Sequence, residues 1–178
     1  MLLVGHFLAS RAETWADLGI DRRQPARDIG SAVAIAAIIG GAGLGLYLAA
    51  FHLGLTRAVI PVDEGGSWWQ VPVLVLSAVR FGIVEEVIGV GYLTRRLGQL
   101  RWTPWAIIVT GATLRGAYHL YQGYGAFVGN AVMGALFVRW RLAGRRTGSL
   151  VIAHALIDCV SFVGWVLLHD HIGWLPGA

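Results

Sequence analysis

The feature that most constrains this chain is a series of five long apolar stretches, separated by short segments that carry most of its arginines. A membrane-spanning helix needs about 20 largely apolar residues to cross a hydrocarbon core about 30 Å thick. Charged residues make up 13% of the chain, whereas soluble domains usually carry about 25%. We therefore predict an all-α, polytopic membrane helical bundle with about five transmembrane helices. The predicted spans cover residues 29–56, 67–94, 102–121, 124–138 and 147–168.

The arginines predict the orientation of this bundle. The chain contains no lysine, and its arginines alternate between the two sides of the predicted topology. One side holds Arg57 together with Asp63, Glu64 and Asp170. The other side holds Arg11, Arg22, Arg23, Arg27, Arg95, Arg96, Arg101, Arg139, Arg141, Arg145 and Arg146. Because basic loops remain in the cytoplasm, we expect the N-terminus to be cytoplasmic. The lysine-free composition is typical of a GC-rich bacterium, so we expect the membrane to be the plasma membrane of a bacterium. This placement beside apolar spans also indicates a lipid bilayer as the partner, not nucleic acid.

Two regions follow from this pattern. Residues 1–28 are predicted to form a cytoplasmic or interfacial N-terminal segment, since Met1–Ala9 is apolar but too short to span a membrane. Residues 29–170 are predicted to form the transmembrane core. A single cysteine excludes a disulfide framework and CxxC metal sites. The glycines of residues 41–45 and 125–129 are spaced so that neighbouring helices could pack closely.

Ionisable residues inside the predicted spans are candidate functional residues. A charge near the bilayer centre costs on the order of 3 kcal/mol on insertion scales, so such groups must pair, become neutral or line a polar cavity. The charged candidates are Arg80, Glu85, Glu86, Arg115 and Asp158, and the histidines in the same spans are His119 and His154.

The spacing of these residues places a polar face on each of three helices. Glu85 and Glu86 are adjacent, so they point about 100° apart and only one can face a given centre. His154 and Asp158 are four residues apart and share one face of the fifth span, as Arg115 and His119 do on the third. A carboxylate and two histidines supply the base and the hydrogen-bonding groups that water activation requires.

Each pair also has a purely structural interpretation. His119 could be a hydrogen bond between helices, the glutamates could form a buried ion pair with an arginine, and His154 could bond Asp158 locally. Their coincidence on three separate helices favours a functional site. Residues of one site should lie at a similar depth below the cytoplasmic ends of their helices, and this holds only in part. Glu85 lies about 15 Å from Arg95 along its helix, whereas His119 lies about 22 Å from Pro104.

The chain contains three motifs in the order Glu85-Glu86-Val-Ile-Gly-Val90, Tyr118-His119 and His154-Ala-Leu-Ile-Asp158. These motifs resemble those of the CPBP family, the CAAX proteases and bacteriocin-processing enzymes, also called Abi or type II CAAX prenyl endopeptidase-like proteins. The family motifs are Glu-Glu followed by Arg and Gly, Phe-x-x-x-His, and His-x-x-x-Asn or Asp. Two positions depart from them, because the family's arginine falls at Val90 and its phenylalanine at Arg115. We hypothesise that Arg115 supplies the missing cation, pairs with Glu86 and leaves Glu85 free.

The resemblance implies an intramembrane endopeptidase, a hydrolase that cleaves membrane-associated peptides. It implies catalytic residues Glu85, Glu86, His119, His154 and Asp158, with Arg115 in support. Glu85 would be the general base on a water that His119 positions, and His154 with Asp158 would hold the oxyanion. The sequence leaves open whether glutamate acts alone or with a divalent metal such as zinc. A metal would be bound by Glu85, His119 and His154, as in a metalloprotease.

Three other interpretations stay open. The loss of the motif arginine is compatible with a non-catalytic family member that gives immunity to a bacteriocin or toxin. The same buried Glu and His residues could serve a proton-coupled membrane transporter. A haem protein with His119 and His154 as axial ligands is a further alternative.

Overall fold

The computed structural model describes residues 1–57 and 68–172, and within them it consists of α-helices, short helical turns and loops, without β-strands. The predicted all-α membrane helical bundle is confirmed. The α-helices are α1 (Leu2–Ala9), α2 (Pro25–His52), α3 (residues 70–99), α4 (Pro104–His119), α5 (Tyr124–Leu142) and α6 (Thr147–Leu168). Short 3₁₀ turns occur at Trp15–Leu18, Leu120–Gln122 and His169–His171. Both α2 and α3 contain a π-helical segment, at Ala36–Gly40 and Glu86–Tyr92.

The surface of the bundle is apolar along all five long helices. Each of them carries a large aliphatic side chain that is more than half exposed; these are Ile38, Leu76, Val109, Val132 and Val160. Soluble proteins rarely leave so much contiguous apolar surface exposed to water. The exposed faces therefore fit a lipid environment.

Two of the described helices, Pro25–His52 and Thr147–Leu168, are long and apolar enough to cross a membrane. Helix α2 begins four residues before the predicted start at Ile29, and α6 has the predicted limits. The number of membrane crossings stays a prediction. Asp63, Glu64, the start of the second predicted span at Ser67 and the side chain of Asp170 lie outside the described residues.

Helix packing brings α3, α4 and α6 together. Helices α4 and α5 form an antiparallel pair, α3 packs along α6, and α2 packs against α6 and α5. The prediction that glycines allow close packing is right for one group: a Cβ at Gly125 would lie 2.6 Å from the Ala50 Cβ. Residues 41–45 do not pack in this way among the described residues, since none of their atoms lies within 4 Å of the corresponding positions of Gly41, Gly43 and Gly45.

The N-terminal segment is fastened to one end of the bundle by ion pairs. Glu13 accepts hydrogen bonds from Arg95 at 2.8 Å and from Arg96 at 2.5 Å. At the start of α6, Arg146 binds Asp28 through Nε at 2.8 Å and Asp21 through Nη2 at 2.9 Å. These contacts place residues 13–28, the end of α3 and the start of α6 at a common end of the bundle.

Candidate active site

The two glutamates lie at the junction between the α-helical and π-helical parts of α3. Glu85 is the last residue of the α-helical part, and Glu86 is the first of the π-helical segment. Single-turn π-helical segments inside α-helices often occur at functional sites. One turn earlier, Gly82 allows α6 to approach, since a Cβ there would lie only 2.8 Å from the carbonyl oxygen of Val151. This close approach brings Glu86 within reach of α6.

Glu86 is the centre of a buried network that joins three helices. Its side chain is fully buried, and Oε1 accepts a hydrogen bond from Arg115 Nη1 at 2.7 Å. His154 Nδ1 lies 2.7 Å from the same oxygen. Gly134 on α5 leaves room for the arginine, because a Cβ there would lie 3.1 Å from the Arg115 Cβ. The structure thus shows the pairing of Arg115 with Glu86 that the sequence suggested.

The contacts of His154 determine how its ring is protonated. Arg115 Nη2 lies 3.2 Å from His154 Nδ1, and a guanidinium only donates hydrogen bonds. The shorter contact is with Glu86, whose carboxylate accepts, so Nδ1 carries a hydrogen that it donates to Glu86. The approach of Arg115 to Nδ1 is then an electrostatic contact without a hydrogen bond. His154 Nε2 faces Asp158, whose Oδ2 lies 3.5 Å away on the same face of α6.

Glu85 has a different environment from its neighbour. Its side chain is 17% exposed, whereas that of Glu86 is 0% exposed. Tyr118 on α4 donates a hydrogen bond to Glu85 Oε2 at 2.7 Å. Arg115 Nη2 lies 3.5 Å from the same oxygen. One carboxylate oxygen of Glu85 is therefore held in place, while part of the side chain stays exposed and can be reached by a small molecule.

His119 lies beside this pair at the end of α4. Its Nδ1 is 2.9 Å from the carbonyl oxygen of Arg115, one turn earlier, so Nδ1 carries the hydrogen and donates it. The Nε2 atom is then left with a free lone pair. The ring packs on Tyr118, with 4.7 Å between the ring centroids. Tyr118 therefore contacts both Glu85 and His119.

Arg80 does not join the network. It is exposed on α3, and its guanidinium lies 4.1 Å from the centre of the Phe81 ring. The other candidate residues, which are the five candidate catalytic residues and Arg115, do come together around Glu86.

The donors do not form the metal site that the sequence left open. Within residues 1–57 and 68–172, no three His, Cys, Asp or Glu side chains are grouped so that they could hold a metal ion. Tyr118 holds one oxygen of Glu85, and His154 binds Glu86 through Nδ1, which leaves only its Nε2 as a potential metal ligand. The ligand set that the sequence left open, Glu85, His119 and His154, is not grouped closely enough among the described residues to hold a metal ion.

Tyr118 is the residue whose place in the site the sequence did not reveal. Its hydrogen bond to Glu85 depends on how α4 is rotated relative to α3, which the spacing of residues within one span does not give. Its position directly before His119 is the available signal, but an aromatic residue near the end of a span is also typical of the membrane interface.

An apolar cavity of about 480 Å³ lies near the network without including it. It is bounded by the N-terminal segment and by Ile83 and Val87 on α3, together with Val151 and Ile152 on α6. None of the five candidate catalytic residues lines this cavity.

Comparison with known proteins identifies the family. The family model described as type II CAAX prenyl endopeptidase Rce1-like matches residues 67–160, which include all three motifs and the Glu86 network. Comparisons with curated proteins and with solved structures gave no match. The matched region is 94 of 178 residues, more than half of the chain. On this evidence, the chain belongs to the Rce1-like family of type II CAAX prenyl endopeptidases.

Proposed function

We propose that this chain is an intramembrane endopeptidase in which Glu85 is the general base. The family supports a CAAX-type protease activity at a general level. The observation that carries the proposal is the difference between the two glutamates. Glu86 is fully buried and bound to Arg115 and His154, whereas Glu85 is partly exposed with one oxygen held by Tyr118. Only Glu85 combines a fixed orientation with access to a water molecule.

The reaction begins when Glu85 takes a proton from water. The hydroxide attacks the carbonyl carbon of the peptide bond, and a tetrahedral intermediate forms. As the C–N bond breaks, Glu85 returns the proton to the leaving amine, as expected of a carboxylate that acts as base and then as acid. The lone pair on His119 Nε2 accepts a hydrogen bond from the same water and orients it.

His154 and Asp158 form the second part of the proposed site. When protonated on both nitrogens, His154 donates from Nδ1 to Glu86 and presents Nε2–H to the oxyanion. Asp158 Oδ2 lies 3.5 Å from Nε2 without a hydrogen bond to it, so its charge favours the protonated ring and leaves the Nε2 hydrogen available to the oxyanion. In this assignment Glu86 is a positioning residue, since it acts through Arg115 and His154 and not on the substrate.

The membrane setting of the site is part of the proposal. The five long helices cross the plasma membrane of a bacterium with the N-terminus in the cytoplasm, so the protein is multi-pass. The substrate is a membrane-associated or transmembrane peptide. This assignment agrees with the apolar outer faces of all five helices and with the arginine-bearing end of the bundle.

Proteolysis in reconstituted liposomes tests the proposed function. The full chain is incubated with a panel of transmembrane peptides, with and without a chelator. We expect Glu85→Gln to lower the cleavage rate by about 10²–10⁴-fold, the usual contribution of a positioned acid–base group. Arg80→Gln is the matched control, because it removes a charge from the same helix outside the network. Chelator sensitivity would show a metal requirement.

Absence of cleavage by the wild type, with the fold intact, would reject the protease. The non-catalytic immunity protein and the proton-coupled transporter would then be the remaining functions to test. Cleavage by Glu85→Gln at the wild-type rate would instead reject Glu85 as the base.

Tyr118→Phe tests the orientation of the base separately. Loss of a hydrogen bond to a charged group costs about 1.5–3 kcal/mol, and 1.4 kcal/mol corresponds to tenfold in rate, so we expect kcat to fall by about tenfold or more. Tyr124→Phe, at an exposed tyrosine outside the network, should leave the rate unchanged. Equal rates for Tyr118→Phe and the wild type would remove Tyr118 from the site.

A further inference from the structure

A second, polar cavity of about 230 Å³ lies at the arginine-bearing end of the bundle. It lies between the start of α2, the end of α5, the loop from α5 to α6 and the start of α6, and it is partly open to the surface. The polar side chains that line it include Arg27, Ser31, Arg145 and Ser149. The cavity is distinct from the candidate active site, because none of the residues around Glu86 contributes to it.

The charges around this cavity are unequal. Asp28 is buried, and its carboxylate accepts hydrogen bonds from Arg146 and Ser149 at 2.8 and 2.9 Å. Arg146 also binds Asp21, so its charge is compensated by two carboxylates. Arg27 and Arg145 have no carboxylate within salt-bridge distance in the described part of the chain. Two uncompensated guanidinium groups therefore border the cavity, and the one carboxylate there is already neutralised.

The nearest partners of these two arginines are neutral groups, so both guanidinium groups keep a full positive charge with which to bind an anion. Among the described residues, the Arg27 side chain donates only to the side-chain oxygen of Gln24, at 3.3 Å, and the Arg145 guanidinium lies 5.5 Å from the centre of the Trp140 ring. Guanidinium groups bind phosphate oxygens through pairs of parallel hydrogen bonds. The hydroxyl of Ser31, which lines the same cavity, is a further donor.

The position of the cavity along α2 indicates where the phosphate comes from. Arg27 lies in the first turn of α2, and the exposed apolar surface of that helix begins two residues later at Ile29 and continues at Val33. A cavity at this boundary is level with lipid head groups. Basic pockets between transmembrane helices at this level commonly bind anionic lipid head groups.

We propose that this cavity binds a phosphate group, and that its source is the head group of an anionic phospholipid. Arg27 and Arg145 hold the phosphate, while the acyl chains lie along the apolar faces of the neighbouring helices. Phosphatidylglycerol fits this site better than a zwitterionic lipid, because its net negative charge matches the uncompensated guanidinium groups.

Thermal unfolding of the full chain in detergent tests the proposal. The unfolding midpoint is measured against increasing dioleoyl phosphatidylglycerol, dioleoyl phosphatidylcholine or inorganic phosphate. We expect phosphatidylglycerol to raise the midpoint in a saturable way, at concentrations at least tenfold lower than the other two probes need. Equal effects of both lipids would overturn the proposal. An equal effect of inorganic phosphate would overturn the lipid as the source.

Matched variants show whether the effect arises in the cavity. Arg27→Gln with Arg145→Gln should weaken the apparent affinity for phosphatidylglycerol at least tenfold. Arg11→Gln with Arg101→Gln removes the same charge from exposed positions outside the cavity and should retain the affinity. If the first pair fails to fold, Arg145→Gln alone replaces it, since Arg145 is exposed. Equal losses in the cavity variant and the control would indicate general charge attraction and reject the site.

Discussion

Adjacent residues on a helix point about 100° apart, and this offset gives Glu85 and Glu86 separate environments on α3. Glu86 points inward to Arg115 and His154, and Glu85 points to Tyr118. The family's motif would place the arginine four residues after Glu86, on the same helix, where this chain has Val90. Because Arg115 comes from α4, the ion pair here also joins two helices.

Arg115→Ala should therefore be strongly destabilising. Removing one partner of a buried ion pair leaves an uncompensated charge and costs about 3–5 kcal/mol of unfolding free energy. Val90 lies one turn after Glu86 on α3, so Val90→Arg in the same protein should recover part of the loss. Unfolding in detergent, with Arg80→Ala as control, measures both effects. A double variant as unstable as Arg115→Ala would show that the two positions are not equivalent.

At the scale of elements, the sequence predicts the helices better than it predicts their ends. The three motifs lie on three separate helices, as their spacing indicated. The sequence placed His119 about 7 Å deeper along its helix than Glu85. In the structure α3 continues past Arg95 to Gln99, which adds about 6 Å to the distance between Glu85 and the end of its helix and removes most of this difference. The charge of Arg95 suggested that the helix ends there. In the structure Glu13 binds this arginine, so the helix continues past it. Local sequence gives no signal of this contact, because the two residues are far apart in the chain.

The close packing of α3 against α6 should be disrupted by a single added methyl group at Gly82. At Gly82 a Cβ would lie 2.8 Å from the Val151 carbonyl oxygen, so Gly82→Ala should separate the helices and cost about 1–3 kcal/mol. It should also lower activity, because Glu86 and His154 meet one turn further along. Gly89→Ala is the matched control on the same helix, because no atom of the described residues lies within 4 Å of a Cβ at that position. Similar stability of the two variants, measured by thermal unfolding, would contradict this account.

At the scale of the whole molecule, acidic residues of the N-terminal segment neutralise arginines at one end of the bundle. Hydrogen bonds from Arg96 and Arg95 hold the pKa of Glu13 at about 2, below its ordinary value of 4.5. A lowered pKa in the folded state means that the pair stabilises the fold above about pH 4.5 and that this stabilisation disappears as the pH falls toward 2.

Glu13→Gln measures this contribution. The variant should unfold at a lower temperature than the wild type at pH 6 to 7, because it leaves Arg95 and Arg96 without their carboxylate. The difference between the two proteins should shrink as the pH falls below 4.5 and vanish near pH 2. A difference that does not change over this interval would show that the charge of Glu13 is not what fastens the segment.

The proposed topology makes opposite predictions for the two ends of the bundle. The loop after α3 lies at the end that holds Arg95 and Arg96, whereas α2 ends beside the turn before α5, where the amide of Arg57 donates to the Gln122 carbonyl at 2.8 Å. Leu100 and Leu53 are exposed at these two ends. Since the chain has a single cysteine, Cys159→Ser provides a background for introducing one cysteine at a time.

With the N-terminus in the cytoplasm, Leu53→Cys should react with a membrane-impermeant maleimide in intact cells. Leu100→Cys should react only after the cells are permeabilised. Neither substitution changes the charge of the chain, so neither alters the arginine distribution that sets orientation. The opposite labelling pattern would show that the protein has the opposite orientation in the membrane. The Arg27–Arg145 cavity would then lie on the outer face. Labelling of both cysteines in intact cells would mean that the two ends of the bundle do not lie on opposite sides of the membrane.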